Sequence, residues 1–221
     1  MTSPIKIDIW SDIACPWCYI GKRHFEEGLA GLGDDAPDVE IEYHSFELAP
    51  DTPVDFEGSE VDFLAKHKGL PAERVQQMLQ HVTGVAANAG LDYDFGALQH
   101  TKTLKAHELL HFAKSQGRQL ELSERLFKAY FTEGRHVGRI DELVELAAGV
   151  GLDADAAREA LESGRYAADV QADIAQAGAY GINGVPFFVF DGKYGVSGAQ
   201  PAEVFGQVLG QVAGERGEAV A

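Results

Sequence analysis

One short stretch near the start of the chain limits its folding more than any other. Ile5, Ile7 and Ile9 alternate with Lys6, Asp8 and Trp10, the period of a strand with one buried face. Ser11-Asp12-Ile13-Ala14-Cys15-Pro16-Trp17-Cys18-Tyr19 follows, and an amphipathic pattern carrying Phe25 and Leu29 then runs to about Leu32. A strand, a Cys-x-x-Cys and a helix in succession is the layout of a dithiol redox site. Pro16 suits the first helical turn, where a missing N–H costs nothing. Cys15 then falls at the helix N-terminus, where unpaired backbone N–H groups and the helix dipole favour a thiolate, the nucleophilic form of cysteine. A structural zinc site takes four ligands, and the chain has only these two cysteines, with His24 the nearest histidine. No metal is therefore expected at the pair. Pro16-Trp17 at a strand-to-helix junction also argues against two inert core thiols.

At 221 residues, 45% of them hydrophobic and 24% charged, the chain has enough apolar surface for a sizeable core. Its formal net charge of −17 argues against nucleic acid or an anionic membrane as a partner held by bulk electrostatics. Met1 to Pro4 lead straight into the first strand without a basic or apolar leader, so a cytoplasmic location is expected. In a reducing compartment a lone cysteine pair reads as catalytic rather than as a structural bridge.

Beyond the first helix, Val39, Ile41 and Tyr43 alternate with Glu40, Glu42 and His44, which predicts a second strand, parallel to the first. From about Val61 to Ala179 the pattern is almost wholly helical, punctuated by Gly90, Gly117, Gly134 and Gly164. Phe187–Phe190 is a compact apolar run, Asp191-Gly192 is a hairpin signal, and Pro201 opens a final helix.

Two strands joined by a helix, then a helix, a hairpin and a helix, resemble the thioredoxin arrangement with a helical block set into its middle. Three motifs make the likeness specific. They are Trp10-Ser11-Asp12 with Cys15 to Arg23, then Ser45-Phe46-Glu47-Leu48, then Gly184-Val185-Pro186-Phe187-Phe188-Val189-Phe190. On these the chain is similar to the DsbA-like branch of the thioredoxin superfamily, and within it to the FrnE-like dithiol–disulfide oxidoreductases. The resemblance implies an α/β fold: a mixed four-stranded sheet flanked by helices, with a large all-helical insertion. The discontinuous thioredoxin-like domain would take residues 1–52 and 166–221, and the insertion 53–165. It also implies a cis Pro186 facing the cysteines, with Val185 and Pro186 forming the loop that docks substrate. Cys15 is then the attacking sulfur and Cys18, more buried, the resolving one. Asp8 or Asp12 is the candidate proton relay, the alternatives being a strand-edge acid and a solvated loop acid. The expected partners are a protein or small-molecule thiol or disulfide and a thiol reductant or oxidant for recycling. No cofactor beyond the Cys15–Cys18 disulfide is expected. One departure is Lys102, where an asparagine is expected before the Thr103-x-x-Ala106-His107 stretch.

His107-Glu108-Leu109-Leu110-His111 is also an H-E-x-x-H string on a predicted helix, a pattern that holds zinc in metalloproteases. It lacks the extended form downstream, and its first histidine belongs to the stretch just described, so a packed helix is expected. His24, His44 and His67 have no distinctive spacing and are expected at the surface. Tyr93, Phe95, Phe127, Tyr130 and Phe131 supply aromatics for a groove over Cys15, most of them expected in the core. Two further readings are a glutathione-dependent isomerase or transferase of the kappa-type and hydroxychromene-carboxylate isomerase group, whose members carry serine at the place of Cys15, and a non-catalytic binding module.

Overall fold

In the computed structural model, which describes residues 3–218, β1 (Ile5–Ser11) is a central strand. It pairs in parallel with β2 (Val39–Ser45), register Ile7 to Ile41 and Trp10 to His44. On its other side it pairs antiparallel with β3 (Phe187–Phe190), which in turn pairs antiparallel with β4 (Tyr194–Ser197). The sheet order is β2-β1-β3-β4. The parallel pair is joined by α1 (Pro16–Ala30), as a parallel connection requires a crossover. The β3–β4 turn places Asp191 and Gly192 at φ 55 and 65, the left-handed geometry that a tight hairpin demands and that Asp-Gly tolerates.

Alternation in β1 assigns its side chains to two layers. Ile5, Ile7 and Ile9 join Phe25 of α1, Phe188 and Phe190 of β3, and Phe205 and Leu209 of α9 (Ala202–Glu218) in one core. Gly28 lets α1 and α9 approach until its missing Cβ would strike the Ala202 carbonyl and lie 2.9 Å from Phe205 Cβ. Trp10, on the opposite face, packs with Val189, Ile182 and Ala177 of α8 (Ala167–Ala179).

Between β2 and α8 lie α2 (Glu60–Lys68), α3 (Ala72–Asn88), α4 (Leu104–Ser115), α5 (Gln119–Phe131), α6 (Ile140–Gly149) and α7 (Ala154–Ser163). Ser59 and Asp62 cap α2 reciprocally, and Gly69 ends it at φ 64, the residue types these positions favour. Asp153 caps α7 by accepting from the Ala156 N–H at 2.8 Å. The largest core of the molecule is formed by these helices, and Cys15, Cys18, Tyr19 and Ile20 belong to it. The N-terminal turns of α1 are therefore sealed by the helical segment rather than by the sheet. Among the described residues no helix is long and apolar enough to cross a membrane.

Candidate active site

Backbone geometry sets Cys15 at the head of α1. Cys15 is the N-cap, extended at φ −92 and ψ 110, and Pro16 occupies the first helical position. No acidic residue sits in the first turn of α1, so nothing there offsets the positive end of the dipole. The Cys15 N–H donates to the Asp12 carbonyl and the Cys18 N–H to the Cys15 carbonyl, each at 3.0 Å, winding Asp12 to Cys18 into a tight entry. Both thiols are free and buried. They are almost equally covered, 3% exposed at Cys15 and 2% at Cys18, so the expected contrast in burial is small. The chemical difference lies in what each sulfur meets. Cys15 lines a cavity of about 330 Å³, and its Sγ lies 3.5 Å from the Val185 carbonyl, donating to it. Burial pushes the Cys18 thiol well up, the neighbouring Cys15 adds to that, and the Ser11 side chain and Asp12 backbone oppose it.

The Val185–Pro186 bond is cis, as the resemblance implies. Gly21 in α1 makes the close approach possible: a Cβ there would lie 3.0 Å from Pro186 Cγ and 3.4 Å from Ala199. The Pro186 carbonyl accepts from the Gly198 N–H at 2.8 Å, tying the loop to the end of β4. One turn of α1 is also pinned to the helical segment. Tyr93 donates through its hydroxyl to the Pro16 carbonyl at 2.7 Å, and Tyr19 to Glu124 Oε1 at 2.6 Å. Lys22 reaches Glu124 at 2.7 Å and Arg23 at 2.5 Å. Burial raises the Glu124 carboxyl, but Arg23, Lys22 and Tyr19 together outweigh it and hold the group at about 2.

The two candidate relay acids part company. Asp12 is 1% exposed and lines the cavity with Cys15, Pro16 and Trp17, so it is no solvated loop acid. Its Oδ2 accepts from the Leu48 N–H at 2.8 Å, and its Oδ1 from the Ala14 N–H and His107 Nε2, both at 3.3 Å. Burial pushes its carboxyl up, and the His107 contact with the Leu48 amide outweighs this and holds it low. Asp8 sits in a central strand rather than at an edge, on a different cluster. His44 Nε2 lies 2.8 Å from Asp8 Oδ1, while His44 Nδ1 lies 2.9 Å from Asp173 Oδ1. His111 lies 3.0 Å from Asp173 Oδ2, and Trp10 stacks on His44 with ring centroids 4.5 Å apart. The expectation that His44 is a surface residue is therefore wrong. It is 8% exposed, because the alternation that buries Tyr43 against the sheet's first core turns His44 toward α8, where Asp173 waits.

The H-E-x-x-H residues diverge. His107 turns to Asp12, His111 to Ser45 and Asp173, and Glu108 to Lys105 at 3.0 Å. Among the described residues, the side chains whose ligand atoms gather within 4.8 Å are Asp8, Glu42 and His44, and Lys6 and Lys114 already contact these acids. Of the five aromatics expected around the groove, Phe95 lines the cavity. Tyr93, Phe127, Tyr130 and Phe131 are core residues. Sequence reasoning missed Glu60, Phe63 and His100, which line the cavity too. Glu60 and His100 are 40 positions apart, and no local pattern marks any of the three.

The family model of the DSBA-like thioredoxin domain matches residues 6–210, nearly the whole chain. The chain belongs to the DSBA-like thioredoxin family. Membership makes it a DsbA-like oxidoreductase, an enzyme of the thiol–disulfide kind. A probable DsbA oxidoreductase from Streptomyces coelicolor is 43% identical, with a TM-score of 0.89 over 96% of this chain and 91% of that one. The Bacillus subtilis protein YwbO is 34% identical over 210 residues, 93% of this chain and 96% of the relative. A 2-hydroxychromene-2-carboxylate isomerase, 15% identical with a TM-score of 0.71 over 97% and 98% of the two chains, shares the fold. As in other DsbA-like oxidoreductases, thiols and disulfides are the substrates. In this DsbA-like chain the two cysteines stand at C-x-x-C spacing where the sheet, α1 and the helical segment meet.

Proposed function

We propose that the chain exchanges disulfides with protein or small-molecule partners through the Cys15-Pro16-Trp17-Cys18 dithiol. The observation that carries this reading is the asymmetry of the pair: Cys15 lines the cavity at a helix N-cap, while burial and Cys15 itself hold the Cys18 thiol in its protonated form. The Cys15 thiolate attacks one sulfur of a disulfide, forming a mixed disulfide and releasing the other sulfur as a thiolate. Cys18 then loses its proton and attacks Cys15, so the dithiol is oxidised by two electrons and the substrate is released reduced. In reverse, the Cys15–Cys18 disulfide oxidises a substrate dithiol. The dithiol carries the electrons, and the reading calls for no further cofactor.

Val185 and Pro186 form the docking edge: the Val185 carbonyl already accepts from Cys15 Sγ, and an extended substrate strand laid along this loop would bring its own sulfur to the same place. Asp12, the only one of the two candidate acids that borders the cavity, relays the Cys18 proton, with His107 as its hydrogen-bond partner. The exchange takes place in the cytoplasm, with a thiol reductant or oxidant for recycling. The test is capture of partners on a Cys18→Ala protein. Mixed disulfides that accumulate on Cys18→Ala and vanish on Cys15→Ser support the reading. Equal accumulation on Cys15→Ser with Cys18 intact would reverse the roles of the two sulfurs.

A further inference from the structure

The cavity over Cys15 holds a polar pair that disulfide exchange does not use. Glu60 opens α2 and His100 precedes α4, and both are more than nine-tenths buried, 8% and 5% exposed. His100 Nδ1 donates to Glu60 Oε2 at 2.7 Å. Its other nitrogen, Nε2, is buried and has no hydrogen-bond partner. A buried polar atom left unpaired is costly, and each one in a folded protein calls for an explanation, of which an arriving partner is one. The ring is held in place by Phe63, whose centroid lies 3.4 Å away in a stacked arrangement, with His67 stacked in turn on Phe63 at 5.2 Å.

The surroundings indicate what arrives. Glu60, Phe63, His67, Lys68 and His100 line the same cavity as Cys15. In a chain of net charge −17, the lining of this cavity includes one lysine and two histidines. The acids nearby are already engaged, Glu60 with His100 and Asp12 with His107. The remaining wall is apolar, with Trp17, Met78, Leu79, Val82 and Phe95. A volume of about 330 Å³ suits a small molecule and is too small for a folded segment of protein.

Resting on the assignment of Cys15 as the attacking sulfur, we propose that this cavity binds a small aromatic disulfide bearing a carboxylate, the ring against the apolar wall and the carboxylate on His100 and Lys68. A carboxyl group at Nε2 gives that nitrogen the hydrogen-bond partner it lacks, while Nδ1 keeps its contact with Glu60. The chemistry balances within one turnover. Cys15 displaces one aromatic thiolate, Cys18 displaces the second from Cys15, and the reduced dithiol ends as a disulfide with two electrons passed to the two aromatic thiolates.

The test is a single turnover of the reduced protein, without added reductant, on 5,5′-dithiobis(2-nitrobenzoate) and on uncharged 4,4′-dithiodipyridine. The readout is the ratio of the two half-saturating concentrations. Lys68→Gln should shift that ratio against the carboxylate by about two- to fivefold, the loss of one exposed charge contact, and His100→Leu by about tenfold or more, the loss of a buried hydrogen bond to a charged group. Lys68 is exposed, so its variant keeps the test valid if His100→Leu fails to fold. Independently, 4-nitrobenzoate should bind Cys15→Ser saturably, quenching Trp17, and bind the Lys68→Gln/Cys15→Ser protein more weakly by a similar factor. An unchanged ratio in Lys68→Gln, or no saturable binding of nitrobenzoate, overturns the proposal. Release of nitrothiobenzoate by Cys15→Ser overturns instead the exchange reading beneath it.

Discussion

His44 offers a direct test of how the helical segment is fastened to the sheet. Burial alone disfavours its imidazolium, and Asp173 and Asp8 on either side outweigh that, lifting the ring from an ordinary 6.5 to about 9. A group raised on folding contributes stability that is complete below its unfolded value and is lost as pH climbs through the folded one. The His44 contribution is therefore whole below 6.5 and gone above about 9. At about 1.4 kcal/mol per pH unit, this interval of 6.5 to about 9 corresponds to about 3 kcal/mol. Asp8 and Asp173 are depressed by the same contacts, so the same energy is counted once. Their share is present above 3.8, the ordinary aspartate value, and is lost on acidification. The assay is urea unfolding at about pH 6 and about pH 9.5 for the wild type and His44→Gln. With an m of about 2–3 kcal/mol per molar urea, the wild-type midpoint should fall by about 1 M more than the variant's. Trp10, stacked on His44, reports the same titration by fluorescence in a Trp17→Phe background. Parallel declines of the two midpoints would refute the ion cluster as the source of stability.

Other outcomes follow from the same contacts. Gly21→Ala should gain about 0.8–1 kcal/mol of helix propensity and lose about 1–3 to overpacking against Pro186 and Ala199. Its turnover should fall by about tenfold or more as the Val185 edge is displaced from Cys15, read by comparing the melting curve with the turnover rate. Asp12→Asn should slow release from the mixed disulfide while sparing the first attack, seen as two phases in stopped-flow. A wild-type pH profile for both phases would remove Asp12 from proton transfer. The Asp12→Asn change should also cost about 1.5–3 kcal/mol, because the buried Leu48 N–H and His107 lose an ionised acceptor. Phe127→Ala empties a fully buried site stacked on Tyr19 and should cost about 3–5 kcal/mol, measured by urea unfolding.

Much of this protein lies in short-range pattern. The alternation of Ile5, Ile7 and Ile9, the proline after Cys15, the Asp191-Gly192 turn and the glycines that end helices are readable because strand period, helix entry and positive φ are decided within a few residues of chain. The dithiol and its place at a helix head belong to the same class. Tertiary structure alone decided the rest. Asp8 and Asp12, four residues apart, look alike in sequence, but one joins a cluster completed by Asp173 and the other borders the cavity beside His107. His44 passes for a surface residue until α8 brings Asp173 to within 2.9 Å of it. Glu60 and His100 meet across 40 positions only because α2 and the loop before α4 fold over the same cavity. Local sequence dictates backbone conformation through sterics and hydrogen bonds between near neighbours, whereas the partner of a buried charge is chosen by whichever distant segment can neutralise it when water leaves.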